Sequence, residues 1–261
     1  MVEKSKVNCI DLFCGAGGLT HGLTLEGLNV ASGFDVDPAC RHPYENNNTA
    51  QFFERDVGAL TGDELELSFD NAEIRVLAGC APCQPFSTYS QRYETVGTPR
   101  WGLLYQFAKL VRELRPEIVT MENVSSVVRH QVFSDFLATL EDLGYHVFNE
   151  VINCVDHGLP QSRRRTVLMA SLMGPIGLIG ASSGKRKTVR DAIGKQPTLQ
   201  AGENDPRDAL HTCSGLSPLN MERMRASKSG GTWRDWPSHL VAECHRKPTG
   251  KSYPGVYARM A

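Results

Sequence analysis

The chain has 261 residues, 41% of them hydrophobic, and carries 28 Lys and Arg against 29 Asp and Glu. That is enough apolar material for a sizeable core, while no apolar run approaches the ~20 residues of a membrane span. Eight cysteines in a chain this long are not a disulfide framework, and the start "MVEKSKVNC" has no apolar leader, so a reducing, cytoplasmic setting is expected.

In chain order, "VNCIDLF" reads as a buried strand, and "IDLFCGAGGLTHGL" joins it to a helix through Gly15, Gly17 and Gly18. Glycines at such a junction allow a tight turn and let backbone N–H groups approach a ligand at the helix N-terminus. "VASGFD" is a second strand, ending at Asp35 with Asp37 just beyond. A carboxylate there, about 20 residues after the glycines, suits two ribose hydroxyls. Asp56 in "ERDV" closes a third strand, placed to accept from an adenine amino group. Each Asp taken alone reads better as a helix cap or exposed turn residue. Three at consecutive strand ends point to an adenosine-containing cofactor. No Walker lysine follows the glycines, which disfavours a nucleoside triphosphate.

A fourth strand, "IRVLAGC", runs into "GCAPCQPFS" and a polar loop from Ser87 to Arg100. A redox CxxC should open a helix, which the second proline and the loop discourage. Zinc would need two more ligands, and His211, Cys213, Cys244 and His245 fit no usual spacing, so no metal is expected. "GLLYQFAKLVRELRP" and "VFSDFLATLEDLGY" read as helices, and "EIVTMEN", "HVFNEVINC" and "RTVLMAS" as strands. This alternation predicts a doubly wound, mostly parallel α/β sheet.

The predicted organisation is a first domain over residues 1–175, a Gly-rich linker over 176–190, and a small irregular basic region over 191–261. Residues 1–150 hold 11 Lys and Arg against 21 Asp and Glu; residues 151–261 hold 17 against 8. The second part therefore reads either as a solvated basic surface or as one that meets phosphates. Trp233, Trp236, Arg223 and Arg225 fit base and phosphate contacts, or, for the tryptophans, a small core.

"DLFCGAGGLTHGL", "GCAPCQPFS", "MENV" and "QSRRRTVLMAS", in this order, resemble the cytosine-C5 DNA methyltransferase family, from about Asn8 to Ser171. The resemblance implies a Rossmann-like fold that binds S-adenosylmethionine, releases S-adenosylhomocysteine, and methylates a cytosine flipped out of double-stranded DNA. Cys83 matches the nucleophile, and Cys80 a bystander. Glu122, Arg163 and Arg165 complete the implied catalytic set. Phe13, Gly15, Ala16, Gly17, Gly18, Asp35, Val36, Asp56, Val57, Pro82 and Leu104 would line the cofactor site. Gln84, Ser87, Arg100, Asn123, Gln161, Lys185, Arg186 and Lys187 would meet DNA, with residues 191–261 as an incomplete target-recognition region.

The implied chemistry follows from cytosine itself, whose C5 is too weak a nucleophile to take a methyl group unaided. A thiolate adding at C6 places electron density on C5. Glu122 would act at N3, provided burial raises its pKa, and the arginines would hold O2. "WGLL" departs from the family's pattern on the scale of packing. The family's last two blocks are not found before Ala261, so a second polypeptide or a further segment is expected to complete the fold. Two other readings stand beside this one. One is a related tRNA methyltransferase, against which the absence of a Cys-Phe-Thr signature speaks; the other is a non-catalytic subunit.

Overall fold

The computed structural model describes residues 7–70, 72–82, 102–180, 184 and 186–246. The chain divides into two compact units, Met1–Ala192 and Ile193–Ala261.

The first unit is built on a seven-stranded sheet. Its central strand, β1 (Val7–Leu12), is buried at every position after the first, as expected for a strand covered on both faces. From β1 the chain passes through α1 (Gly18–Leu25) to β2 (Asn29–Asp35), then α2 (Arg41–Asn47) and β3 (Gln51–Glu54), and on through α3 (Gly62–Glu66). It then crosses to the far side of β1 as β4 (Ile74–Gly79). After α4 (Gly102–Leu114) come β5 (Ile118–Val124), α5 (Gln131–Asp142), β6 (His146–Asn153) and β7 (Arg164–Ser171). The spatial order is β3-β2-β1-β4-β5-β7-β6. β7 runs antiparallel to both its neighbours, and every other pairing is parallel. The order reverses at β1, so the carboxyl ends of β1 and β4 flank the crevice where such sheets bind ligands.

The expected doubly wound α/β sheet is therefore the observed one, and the six quoted strands lie within one residue of those in the structure. α4 buries Leu104, Phe107, Ala108, Val111 and Leu114, a helical stripe facing the sheet. It stops at Arg115, whose φ of 47° is left-handed, followed by Pro116, which cannot continue a helix. α5 contributes Val132, Phe133, Phe136 and Leu140, and the rings of Phe107 and Phe136 sit 5.3 Å apart. These side chains join Ile10, Leu12 and Leu77 in the larger core cluster. Alternate strand positions point to opposite faces, so Cys9 and Val76 fall in a smaller cluster with Val30, Tyr44 and Phe52.

α6 (Val189–Ile193) straddles the division between the units. The second unit has a two-stranded antiparallel ribbon, β8 (Asn204–Asp205) with β9 (Asp208–Thr212). α7 (Pro218–Ala226) is capped by the Ser217 side chain, and a single turn, α8 (Glu243–Arg246), follows. Trp236 is buried and donates from Nε1 to Ser227 Oγ at 3.0 Å. Arg223 lies over its ring and donates to Leu240 O at 2.8 Å. For Trp236, with Arg223 over it, the structure supports the small-core reading, while Trp233 is half-buried and Arg225 is exposed. Residues 193–246 hold seven Lys and Arg against six Asp and Glu, so the basic excess of the second half sits in the stretches on either side. No described helix is long and apolar enough to cross a membrane.

Phe107→Ala should cost about 3–5 kcal/mol in urea unfolding, the usual loss for an aromatic side chain from a core that cannot fully collapse. Leu67→Ala, at an 84% exposed position, should change stability by no more than about 0.5 kcal/mol.

Candidate active site

The turn after β1 is held in an unusual conformation. Phe13 has φ 58°, a left-handed value that a Cβ-bearing residue adopts only under constraint, and Gly15 and Gly17 follow at 52° and 88°. The turn is tied to the neighbouring strand twice. Cys14 N donates to Phe34 O at 3.1 Å, and Gly15 N donates to Asp35 Oδ2 at 2.9 Å. Asp35 Oδ1 accepts from Asp37 N at 3.0 Å, so this carboxylate organises both loops at the switch point. Ala16 and Gly18 are exposed at the mouth, and a Cβ on Gly15 or Gly18 would meet nothing within 4 Å.

The other two acidic residues do what isolated turn residues do. Asp37 caps a short helical turn by accepting from Ala39 N at 2.9 Å. Asp56 caps another, accepting from Gly58 N at 2.8 Å. Val36 is exposed, whereas Val57 and Leu104 are buried in the larger core. An open glycine turn at a helix start, beside a carboxylate that hydrogen bonds already orient, fits an adenosine-bearing ligand.

Beneath the turn lies a group the sequence reading passed over. Asp11, the fifth residue of β1, is fully buried. Its Oδ2 accepts from Thr20 Oγ1 at 2.8 Å, while its Oδ1 is buried with no partner. Burial above all raises its pKa from 3.8 to about 7. The signal in the sequence was a carboxylate inside an otherwise apolar strand, which is costly unless it has a task. Burial also pushes the Cys80 thiol up, helped by the charges of Asp11 and Glu122. A thiol held protonated in this way is a poor nucleophile, in keeping with Cys80 as the bystander.

The next part of the site comes from β5 and β7. Glu122 stands opposite Val167 in the antiparallel register, and Arg165 opposite Val124. Glu122 and Arg165 are thus diagonal neighbours on one face, and Arg165 Nε donates to Glu122 Oε1 at 2.7 Å. The Glu122 side chain is 37% exposed and ion-paired, which is not the burial that the neutral-acid role required. Asn123 faces the other way and is 2% exposed. It donates from Nδ2 to Ala81 O at 3.0 Å and accepts from Val124 N at 2.9 Å. Expected to touch DNA, it is instead a buried pin on the segment that leads to residue 83.

Arg163 and Gln161 are exposed at the entry to β7, and Pro82 is half-buried after β4. Arg186 pairs with Asp156, and Lys187 is exposed. Cys83, Gln84, Ser87, Arg100 and Lys185 lie outside the described residues. Among the described residues no group of three or more His, Cys, Asp or Glu is arranged to hold a metal ion.

The shift of Asp11 generates a pH test. Its folded pKa is raised, so the stability it contributes is complete below about pH 4 and is lost as pH rises through about 7. Asp11→Asn removes that titration. The stability of the wild type minus that of Asp11→Asn, followed by urea unfolding, should fall by up to about 4 kcal/mol between pH 4 and pH 8. A flat difference would show that the carboxylate titrates normally.

Residues 7–251 match the family model for C-5 cytosine-specific DNA methylases. The chain is 46% identical over 256 residues to the Type II methylase M.HgiDII of Herpetosiphon aurantiacus, covering 96% of this chain and 72% of that one. It is 32% identical to a Type II methyltransferase of Haemophilus parahaemolyticus, covering 88% of this chain and 63% of the relative. Among solved structures, a putative DNA modification methyltransferase encoded within an E. coli prophage aligns with a TM-score of 0.63 at 21% identity, over 92% of this chain and 67% of that one. The methyltransferase of Entamoeba histolytica aligns at 0.59 with 22% identity, over 69% and 57% of the two chains. At those identities the structures speak for the fold, while the family match spans nearly the whole sequence. The chain belongs to the family of C-5 cytosine-specific DNA methylases.

Proposed function

We propose that this chain carries out the methyl transfer of a Type II restriction–modification DNA (cytosine-5) methyltransferase, with S-adenosylmethionine as donor and duplex DNA as acceptor. The observation that carries the reading is the placement of Glu122 and its partner Arg165 on β5 and β7, while Cys80–Pro82 lead from β4 toward residue 83. The donor supplies an electrophilic methyl group on a sulfonium. The glycine turn and Asp35 would hold its adenosine end, with Phe13, Val36 and Asp56 about the base and Pro82 on the wall, while Val57 and Leu104, buried in the core, would back it from behind.

The Cys83 thiolate would add to C6 of the flipped cytosine, forming the S–C6 bond and moving an electron pair to C5, which then takes the methyl group. Loss of the C5 proton to a base and expulsion of the thiolate restore the ring. Glu122, held through Oε1 by Arg165, would face N3, with Arg163 and Arg165 as the cationic donors nearest O2. The exposed Arg163, Gln161, Arg186 and Lys187 are proposed contacts to DNA, joined by Gln84, Ser87, Arg100 and Lys185. The Arg186 pair with Asp156 is largely solvent-exposed, and such a pair is weak enough to be exchanged for a phosphate. The proposed compartment is the bacterial cytoplasm.

The test is transfer of labelled methyl groups from S-adenosylmethionine to mixed-sequence duplex DNA, with tRNA as the competing substrate. The relatives are longer than this chain, so the assay is run with the 261-residue protein alone and with the remaining segment of a relative supplied in trans. Cys83→Ser should abolish transfer and Cys80→Ser should retain most of it. A covalent adduct with 5-fluorocytosine DNA that persisted in Cys83→Ser would remove Cys83 from the mechanism. Asp35→Ala should weaken S-adenosylmethionine binding by about 1–3 kcal/mol in calorimetry, the cost of a lost charge-assisted hydrogen bond. Unchanged affinity would place the ribose partner elsewhere.

A further inference from the structure

Tyr44, on α2, belongs to none of the groups assigned above, yet it lies against α1, the glycine turn and β2. It is fully buried. Its hydroxyl lies 3.0 Å from Thr20 Oγ1 on α1. Thr20 has a single hydroxyl proton, and with Asp11 ionised it goes to Asp11 Oδ2 at 2.8 Å. In that state the Tyr44 O–H is the donor to Thr20, and a chain Tyr44→Thr20→Asp11 runs from α2 through α1 into β1.

The ring is wedged as tightly as the hydroxyl is bonded. A Cβ on Gly17 would stand 2.8 Å from Tyr44 Cδ2 and would collide with the Asn48 amide, while a Cβ on Gly33 would collide with the Tyr44 hydroxyl. Asn48 itself donates to Tyr44 O at 2.9 Å. Gly17 closes the turn that presents Gly15, and Gly33 lies two residues before Asp35, so one side chain gauges the spacing between the two partners of the Gly15–Asp35 bond.

We propose that Tyr44 is a positioning residue for the cofactor. Its hydroxyl and ring together hold the glycine turn at the distance from Asp35 that the adenosine end requires. The inference rests on the proposed cofactor reading and deepens it. Tyr44 touches no reacting atom, and its effect is exerted through Thr20, Gly17 and Gly33. Removing the hydroxyl should therefore loosen binding of S-adenosylmethionine and leave turnover at saturating donor little changed.

The test is calorimetric titration of the 261-residue protein with S-adenosylmethionine, well below the unfolding midpoints of all variants. Tyr44→Phe keeps the ring and loses the donor; Thr20→Val removes the link. Each should weaken binding about five- to twentyfold, and the double variant should be no worse than the weaker single, because both break one chain. Thr20→Ser keeps the hydroxyl and should bind like the wild type. Tyr145→Phe is the control, since that buried hydroxyl donates to Pro116 O at 2.6 Å and is remote from the turn in the sheet. It should lower the unfolding midpoint without changing affinity. If Tyr44→Phe behaves like Tyr145→Phe, losing stability and keeping affinity, Tyr44 is packing alone and the proposal is overturned. A wild-type chain that binds no S-adenosylmethionine even with the remaining segment of a relative supplied in trans would overturn the cofactor reading, and this proposal with it.

Discussion

The bond from the Gly15 amide to the Asp35 carboxylate joins the ends of β1 and β2, and the proposed cofactor half of the site depends on it. Parallel neighbours have no hairpin between them, so nothing local sets the spacing of their carboxyl ends. Here that spacing is set by a backbone donor in a left-handed turn and an acceptor one strand away. The acceptor is steadied in turn by the Asp37 amide. The strain at Phe13 follows from this arrangement, because a non-glycine residue stays at φ 58° only where its surroundings leave no alternative.

The half proposed to act on DNA depends on a different constraint. Glu122 and Asn123 are adjacent on β5, so their side chains point to opposite faces. One meets Arg165 across the strand pair, and the other reaches down to the carbonyl of Ala81. A single strand therefore orients the acidic group and also anchors the segment that runs to residue 83. Two neighbouring residues thus hold two parts of the site in fixed relation without any loop of their own.

The fold was legible because six of the sheet's seven strands announced themselves by short apolar runs and each long helix by its stripe, as in Phe107, Val111 and Leu114 on α4; β3 was signalled only by the carboxylate that follows it. The glycine turn and Asp35 were legible for a related reason, since turn chemistry is local. What was not legible was burial. Asn123 reads as a polar residue beside a catalytic carboxylate, and only the strand's alternation, with the Ala81 carbonyl waiting below, turns it into a structural pin. Asp11 was missed because "VNCIDLF" reads as a strand through its apolar residues, which leaves unasked what the one carboxylate inside it does; the structure leaves that carboxylate fully buried. Asp37 and Asp56 carried two readings in the sequence, and both are seen as caps on short helical turns. The basic second half was an average over unlike parts. The described residues 193–246 are nearly balanced in charge, and their Arg223 and Trp236 are spent on their own small core.

The reversed direction of β7 explains how motifs with opposite placement in the sequence converge. The glycines follow β1, Asp35 ends β2, and Cys80–Pro82 follow β4. In a parallel sheet all of these fall at the carboxyl edge. The arginine cluster instead precedes or opens its strand, and in another parallel strand it would emerge at the far edge of the sheet. Because β7 runs antiparallel between β5 and β6, its beginning lies beside the end of β5, with Arg165 opposite Val124. One reversed strand thus delivers a cationic group to an edge that otherwise collects carboxylates, and the Glu122–Arg165 pair is the product of that reversal.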